Sequence, residues 1–161
     1  MSDFRKYERY AKQIGLFKGL ETEEVRDILH QGQSMKFQKG MTIFHEGQPG
    51  SSLFSVLSGN VGIYNGEMLI AICKAGDAFG EMSVLGHRPH SATAMAKTDV
   101  KLFTLDEREL NDILHKGVAV RLLLNVIHTL SGHLADSNTT MAMQYRENKE
   151  LKTRLEAVRS A

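Results

Sequence analysis

Hydrophobic positions change their spacing twice along this 161-residue chain. Over residues 4–31 they recur at helical intervals: Tyr7, Ala11 and Ile14, then Leu16, Phe17 and Leu20, then Val25, Ile28 and Leu29. Thr22 is the expected N-cap of the second helical segment, with Glu23 and Glu24 placed to meet the positive end of the helix dipole. From Ser34 to Leu105 the pattern becomes short apolar or alternating runs: Met41–Phe44, Leu53–Leu57, Val61–Tyr64, Met68–Cys73, Ala92–Met95 and Val100–Leu105. Asn65-Gly66 predicts a tight hairpin between two of them, and Gly47-Gln-Pro-Gly50 and Ser58-Gly59-Asn60 mark further turns. Many short, evenly spaced strands predict a compact antiparallel barrel or sandwich.

After Leu105 the helical period returns. Asp106 and Glu109 have capping-box spacing, with Leu105 and Leu110 placed as a hydrophobic staple. Gly117 is expected to end that helix, and a long one follows with no proline to the last residue. In it, Leu123, Ile127, Leu130, Leu134, Ser137, Met141, Gln144, Asn148, Leu151, Leu155 and Val158 are separated by alternating steps of four and three. That is a heptad seam with Ile127, Leu134, Met141, Asn148 and Leu155 at a and Leu130, Ser137, Gln144, Leu151 and Val158 at d. One asparagine at an a position fixes register in a parallel dimer, so a parallel homodimer is expected. Glu147 at g meets Lys152 at e of a partner, while Arg154 and Arg159 repel. Residues 122–130 are expected to pack on the chain's own barrel, which is too small to cover the rest.

Three parts are therefore expected: helices over 1–31, a β-barrel over 32–106, and helices with a dimerising coiled coil over 107–161. The apolar fraction of 42% and charged fraction of 24% are ordinary for a globular protein. Fourteen glycines against two prolines suit a turn-rich β structure. A formal charge of +1 gives no field to bind nucleic acid or a membrane. The apolar stretch Val118–Leu130 is interrupted by Arg121, Asn125 and His128, and the N-terminus has no apolar signal core. One cysteine, Cys73, forbids an internal disulfide and reads as a small buried hydrophobe; the expected location is cytoplasmic.

The chemistry concentrates in Gly76-Asp-Ala-Phe-Gly80-Glu-Met-Ser-Val-Leu-Gly-His-Arg-Pro-His90-Ser-Ala-Thr-Ala94. A short helix opening at Gly80-Glu81-Met82-Ser83 would turn free backbone N–H groups toward an anion, and Gly80 lets the backbone come close. This segment resembles the phosphate-binding cassette of the cyclic-nucleotide-binding domain family. That family includes catabolite activator proteins, regulatory subunits of cyclic-AMP-dependent kinase and nucleotide-gated channels. Phe44-x-Glu46-Gly47 to Leu57-Ser-Gly59 also resembles the family's second and third strands, and the likeness extends over about residues 15–138.

The resemblance implies a double-stranded β-helix, a jelly-roll-like barrel of about eight strands, mainly β with flanking helices. It implies cyclic AMP or cyclic GMP as ligand, with Gly80, Glu81, Met82, Ser83, His90 and Ser91 around phosphate and ribose. Glu81 would accept from the ribose 2′-hydroxyl, and Ser137 and Asn138 on the long helix would reach the base. No other cofactor, no metal and no catalytic role is implied. His87-x-x-His90 has no further ligands beside it.

The chain departs from the family at His90, where the usual pattern has an arginine after the proline. A mostly neutral imidazole replaces a bidentate fork, a loss of roughly 2–3 kcal/mol, or about 30- to 150-fold in affinity. Arg88 offers a partial substitute. Three expectations follow: a ligand-gated regulatory dimer acting on a downstream protein, a dimeric scaffold with a degenerate pocket, and a transcription factor. The last is disfavoured because the chain lacks the roughly sixty further residues of a helix-turn-helix reading head.

Overall fold

The computed structural model describes residues 9, 13–114 and 118–159, apart from the side chains of 114 and 156–159. Much of the helix expected over 4–31, including Tyr7 and Ala11, lies outside the described residues, as does Gly117. A 3₁₀ turn at Gly15–Phe17 leads into α1 (Thr22–Gln31). Thr22 is the first helical residue of α1, not its cap. Glu21 takes that place in extended backbone, and its N–H donates to the Glu24 carboxylate at 2.8 Å.

Eight strands follow: β1 (Gln33–Phe37), β2 (Thr42–Phe44), β3 (Ser52–Ser58), β4 (Asn60–Asn65), β5 (Met68–Lys74), β6 (Ala78–Phe79), β7 (Thr93–Ala96) and β8 (Val100–Asp106). They form two antiparallel four-stranded sheets, ordered β1-β8-β3-β6 and β2-β7-β4-β5. The helices are α1, α2 (Glu81–Gly86), α3 (Glu107–Leu114) and α4 (Ala119–Arg159). This is the mainly β, jelly-roll-like architecture with a long C-terminal helix expected from the sequence.

Phe54, Val56, Val61, Cys73, Phe79, Ala94, Ala96, Val100 and Leu102, drawn from both sheets, form one buried cluster. Alternate residues of the first sheet, Leu53, Phe103 and Leu105, are also buried. Phe103 meets Phe17 with ring centroids 6.0 Å apart. Strands β3 and β8 are covered on both faces, which is why they read as continuous apolar runs. By contrast β1 is mostly exposed and has no apolar periodicity to reveal it.

The β4–β5 hairpin forms where expected, but its turn is displaced by one residue. Asn65 pairs with Met68, so the loop is Gly66-Glu67. Gly66 has φ +56°, and Glu67 does not share a positive φ. That places glycine first in the turn, as type II′ requires, and excludes the type I′ Asn-Gly turn. The α3 capping box is present: Asp106 N–H donates to Glu109 Oε2 at 2.8 Å and Glu109 N–H to Asp106 Oδ1 at 2.7 Å.

The chain divides into two compact units between Thr129 and Leu130. In the first, α4 begins by burying Leu122 and Val126. Asn125 Nδ2 donates to the carbonyls of Leu16 and Lys18, each at 2.9 Å, and Arg121 donates to Gly19 O at 3.1 Å. The second unit is the remainder of α4. Its side chains over residues 134–155 are exposed throughout.

Candidate functional site

The segment between β6 and β7 is built around two close approaches. Gly80 precedes α2 with φ +82°, a conformation that favours glycine. A Cβ there would lie 2.8 Å from Ser52 O and 2.9 Å from the Phe54 ring. Gly80 thus lets the turn press against β3. The second approach is at Gly50, where a Cβ would lie 2.5 Å from Ser83 Oγ and 2.6 Å from His90 Cε1. The 47–50 turn therefore closes directly over two of the expected site residues.

His90 is buried, at 8% exposure. Its ring stacks on Phe44 with centroids 3.6 Å apart and planes 6° from parallel. Its Nδ1 lies 3.2 Å from Ser83 Oγ. Its backbone is paired in both directions with the turn: His90 N–H donates to Gln48 O at 2.9 Å and Gly47 N–H to His90 O at 2.8 Å. Burial lowers the imidazole pKa below its ordinary 6.5, because the charged ring would lose hydration.

Ser83 is also buried and donates from Oγ to Gly80 O at 2.9 Å. Glu81, 5% exposed, lies in the first turn of α2. Its charge is felt at the Cys73 thiol, which is pushed up to about 12 by burial first, then by Asp77 and Glu81. Cys73 is a buried free cysteine in β5, and so high a pKa leaves it almost no thiolate.

The structure thus brings Gly80, Ser83 and His90 together, with Glu81 buried in the same turn of α2, while Met82, Arg88 and Ser91 are exposed. His87, in the left-handed conformation at the end of α2, pairs with Glu107 Oε1 at 3.3 Å. Ser137 and Asn138 belong to the second unit and are exposed on α4. Sequence reasoning missed Phe44 and Gly50 as parts of this constellation. Phe44 was visible only as a strand residue and Gly50 only as a turn residue. Among the described residues no group of three metal-ligating side chains forms, and no helix is long and apolar enough to cross a membrane.

The cyclic nucleotide-binding domain profile matches residues 34–116, more than half of the chain. The chain belongs to this family. It is 33% identical over 110 residues to a cAMP-dependent protein kinase regulatory subunit of Hypocrea atroviridis, covering 68% of this chain and 24% of that protein. It is 30% identical over 135 residues to a CRP-like cAMP-activated global transcriptional regulator of Mycobacterium tuberculosis, covering 80% and 58%. The chain therefore spans only part of the length of these curated relatives.

Among solved structures, a cyclic nucleotide-binding domain from Methylobacillus flagellatus matches with TM-score 0.77 and 23% identity, over 89% of this chain and 84% of that one. At that identity the likeness establishes the fold. The catabolite activator protein of Thermus thermophilus matches with TM-score 0.60 and 29% identity, over 89% and 62%.

Proposed function

We propose that this family member is a regulatory module that binds cyclic AMP or cyclic GMP at the 80–91 segment and passes ligand state through a dimeric α4. It acts by binding, not catalysis, on a downstream protein, and its expected setting is the cytoplasm. The observation that carries the binding half is the convergence of Gly80, Ser83 and His90, with Glu81 buried in the same turn of α2, within a cassette of the matched family domain. Ser91 and Met82, exposed beside it, complete the expected phosphate side. The role of Ser137 and Asn138 toward the base rests on the resemblance alone.

The dimeric half is supported by the helix itself. Ile127, Leu134, Met141, Leu151 and Leu155 are 55–64% exposed at seam positions. Val120, one heptad before Ile127, is 66% exposed and extends the series. A stripe from Val120 to Leu155, about 50 Å at the rise of a helix, exposes enough apolar surface to favour a partner that covers it. A second copy in parallel covers it in register, with Asn148 opposite Asn148.

A specific observation favours a second reading, a dimeric scaffold with a degenerate pocket. His90 is buried against Phe44 and Ser83, where the family pattern has an arginine. Calorimetric titration with cyclic AMP and cyclic GMP separates the two. Saturable binding of either sustains the regulatory reading, and no binding at millimolar ligand by the folded protein replaces it with the scaffold.

A further inference from the structure

The Ser83–His90 contact favours one placement of a proton, and with it what the site offers a ligand. A serine hydroxyl has one hydrogen to donate. Ser83 Oγ has two partners, Gly80 O at 2.9 Å and His90 Nδ1 at 3.2 Å. A carbonyl oxygen only accepts, and it holds the shorter contact, so the hydroxyl hydrogen belongs to Gly80 O. The Ser83 oxygen is then free to accept from His90, an arrangement that favours Nδ1 as the protonated nitrogen. A neutral imidazole carries one N–H, so Nε2 is left with a bare lone pair.

We propose that anion binding at this cassette is coupled to uptake of one proton by His90 at Nε2. An anionic oxygen at Nε2 would meet a lone pair on neutral His90, which repels it. The imidazolium presents a charged N–H donor instead. The proton comes from solvent, Nδ1–H stays on Ser83, and the Phe44 face and the Gly50 approach hold the ring through the change. The inference rests on the proposed cyclic-nucleotide binding and adds how that binding is regulated.

No neighbouring charge supplies the same effect permanently. On the side of β2 the titratable groups are His45 and Glu46, both exposed, and the Glu46 carboxylate accepts from Gly66 N–H at 3.4 Å. The 47–50 turn contributes none. On α2 they are Glu81, buried in the first turn, and His87 at its end, paired with Glu107. Arg88, two residues before His90, is exposed. Burial lowers the His90 pKa, so the imidazole of the free site is mostly neutral near pH 7.

Cyclic AMP and cyclic GMP titrated calorimetrically from pH 5.5 to 8, in two buffers of different ionisation enthalpy, test the coupling. The cyclic phosphate stays anionic throughout. The expected result is an affinity that falls as pH rises from about 6.5 to 8, by at most about tenfold per pH unit, with a net uptake of protons per ligand that is positive and no greater than one. Nitrogen-15 NMR of the ligand-free protein should show His90 protonated at Nδ1. Ser83→Ala should lower the proton uptake by freeing the tautomer, and His90→Arg should bind without uptake. Binding that is flat with pH, or an Nε2–H tautomer in the free protein, overturns this inference and leaves the functional reading standing. No binding of either nucleotide at any pH overturns the functional reading itself, and the coupling with it.

Discussion

Leu122 and Leu134 lie on one unbroken helix, yet Leu122 is fully buried and Leu134 is 64% exposed. The first finds its cover within its own chain. There α4 buries Leu122 and Val126, and Asn125 ties it to the 3₁₀ turn through two carbonyls. The second has an equally apolar side chain with no such cover. The difference shows that α4 carries two apolar faces, one buried and one exposed. Leu122 and Val126 fall outside the a and d series and are buried in the fold, whereas Ile127, Leu134 and Met141 fall on it and are exposed, the face assigned to a second copy in the proposal.

The sharpest way to break this contrast is to truncate one residue of each face. Leu122→Ala is expected to lower unfolding free energy by about 3 kcal/mol, because a fully buried leucine leaves a cavity. Chemical denaturation should show the loss at every protein concentration. A loss below about 1 kcal/mol would mean that α4 is not docked in solution.

Leu134→Asp addresses the other face. The far-ultraviolet dichroism of the β unit should survive, while sedimentation should show the dimer dissociation constant rising by about 100-fold, or about 2.7 kcal/mol. A wild-type chain that sediments as a monomer at high concentration removes the dimer from the proposal.

Asn125→Ala tests whether polar tethering matters beside apolar burial. Two carbonyls lose their donor, and stability should fall by about 1.5 kcal/mol, measured by thermal unfolding with dimerisation held constant. An unchanged midpoint would assign the docking to Leu122 and Val126 alone.

The smallest expected effect is that of pH on the β unit. His90 is held below its ordinary pKa, so the folded chain binds fewer protons than the unfolded chain between that lowered value and 6.5. The stability tied to the neutral ring is complete above about pH 6.5 and is lost as pH falls through the window. His90→Phe should flatten this part of the stability–pH profile relative to wild type, and parallel profiles would contradict it.

Much of this molecule was written into its sequence because local rules sufficed. The seam of α4 is a periodicity of seven, legible without knowing what it packs against. The Asp106–Glu109 box depends on residues three apart, and it forms as expected. Strands β3, β4, β5, β7 and β8 declared themselves by apolar runs between glycines. Gly80 and the 76–94 motif marked the cassette. Where neighbouring options were nearly equivalent, the sequence chose wrongly by one residue, as at Thr22 against Glu21 and at Asn65-Gly66 against Gly66-Glu67.

What only the tertiary structure decided was which distant groups meet. Phe44, Gly50, Ser83 and His90 come from three separate stretches of chain, and nothing local to any of them announces a stacked ring or a serine–histidine contact. Asn125 read as a flaw in an apolar stretch until its amide met Leu16 O and Lys18 O, more than a hundred residues earlier. Strand β1 exists because β8 pairs with it, not because Gln33–Phe37 is apolar. Periodicity records what a segment must bury. The identity of the atoms it buries against, and hence the lowered pKa of His90, is a property of the assembled fold.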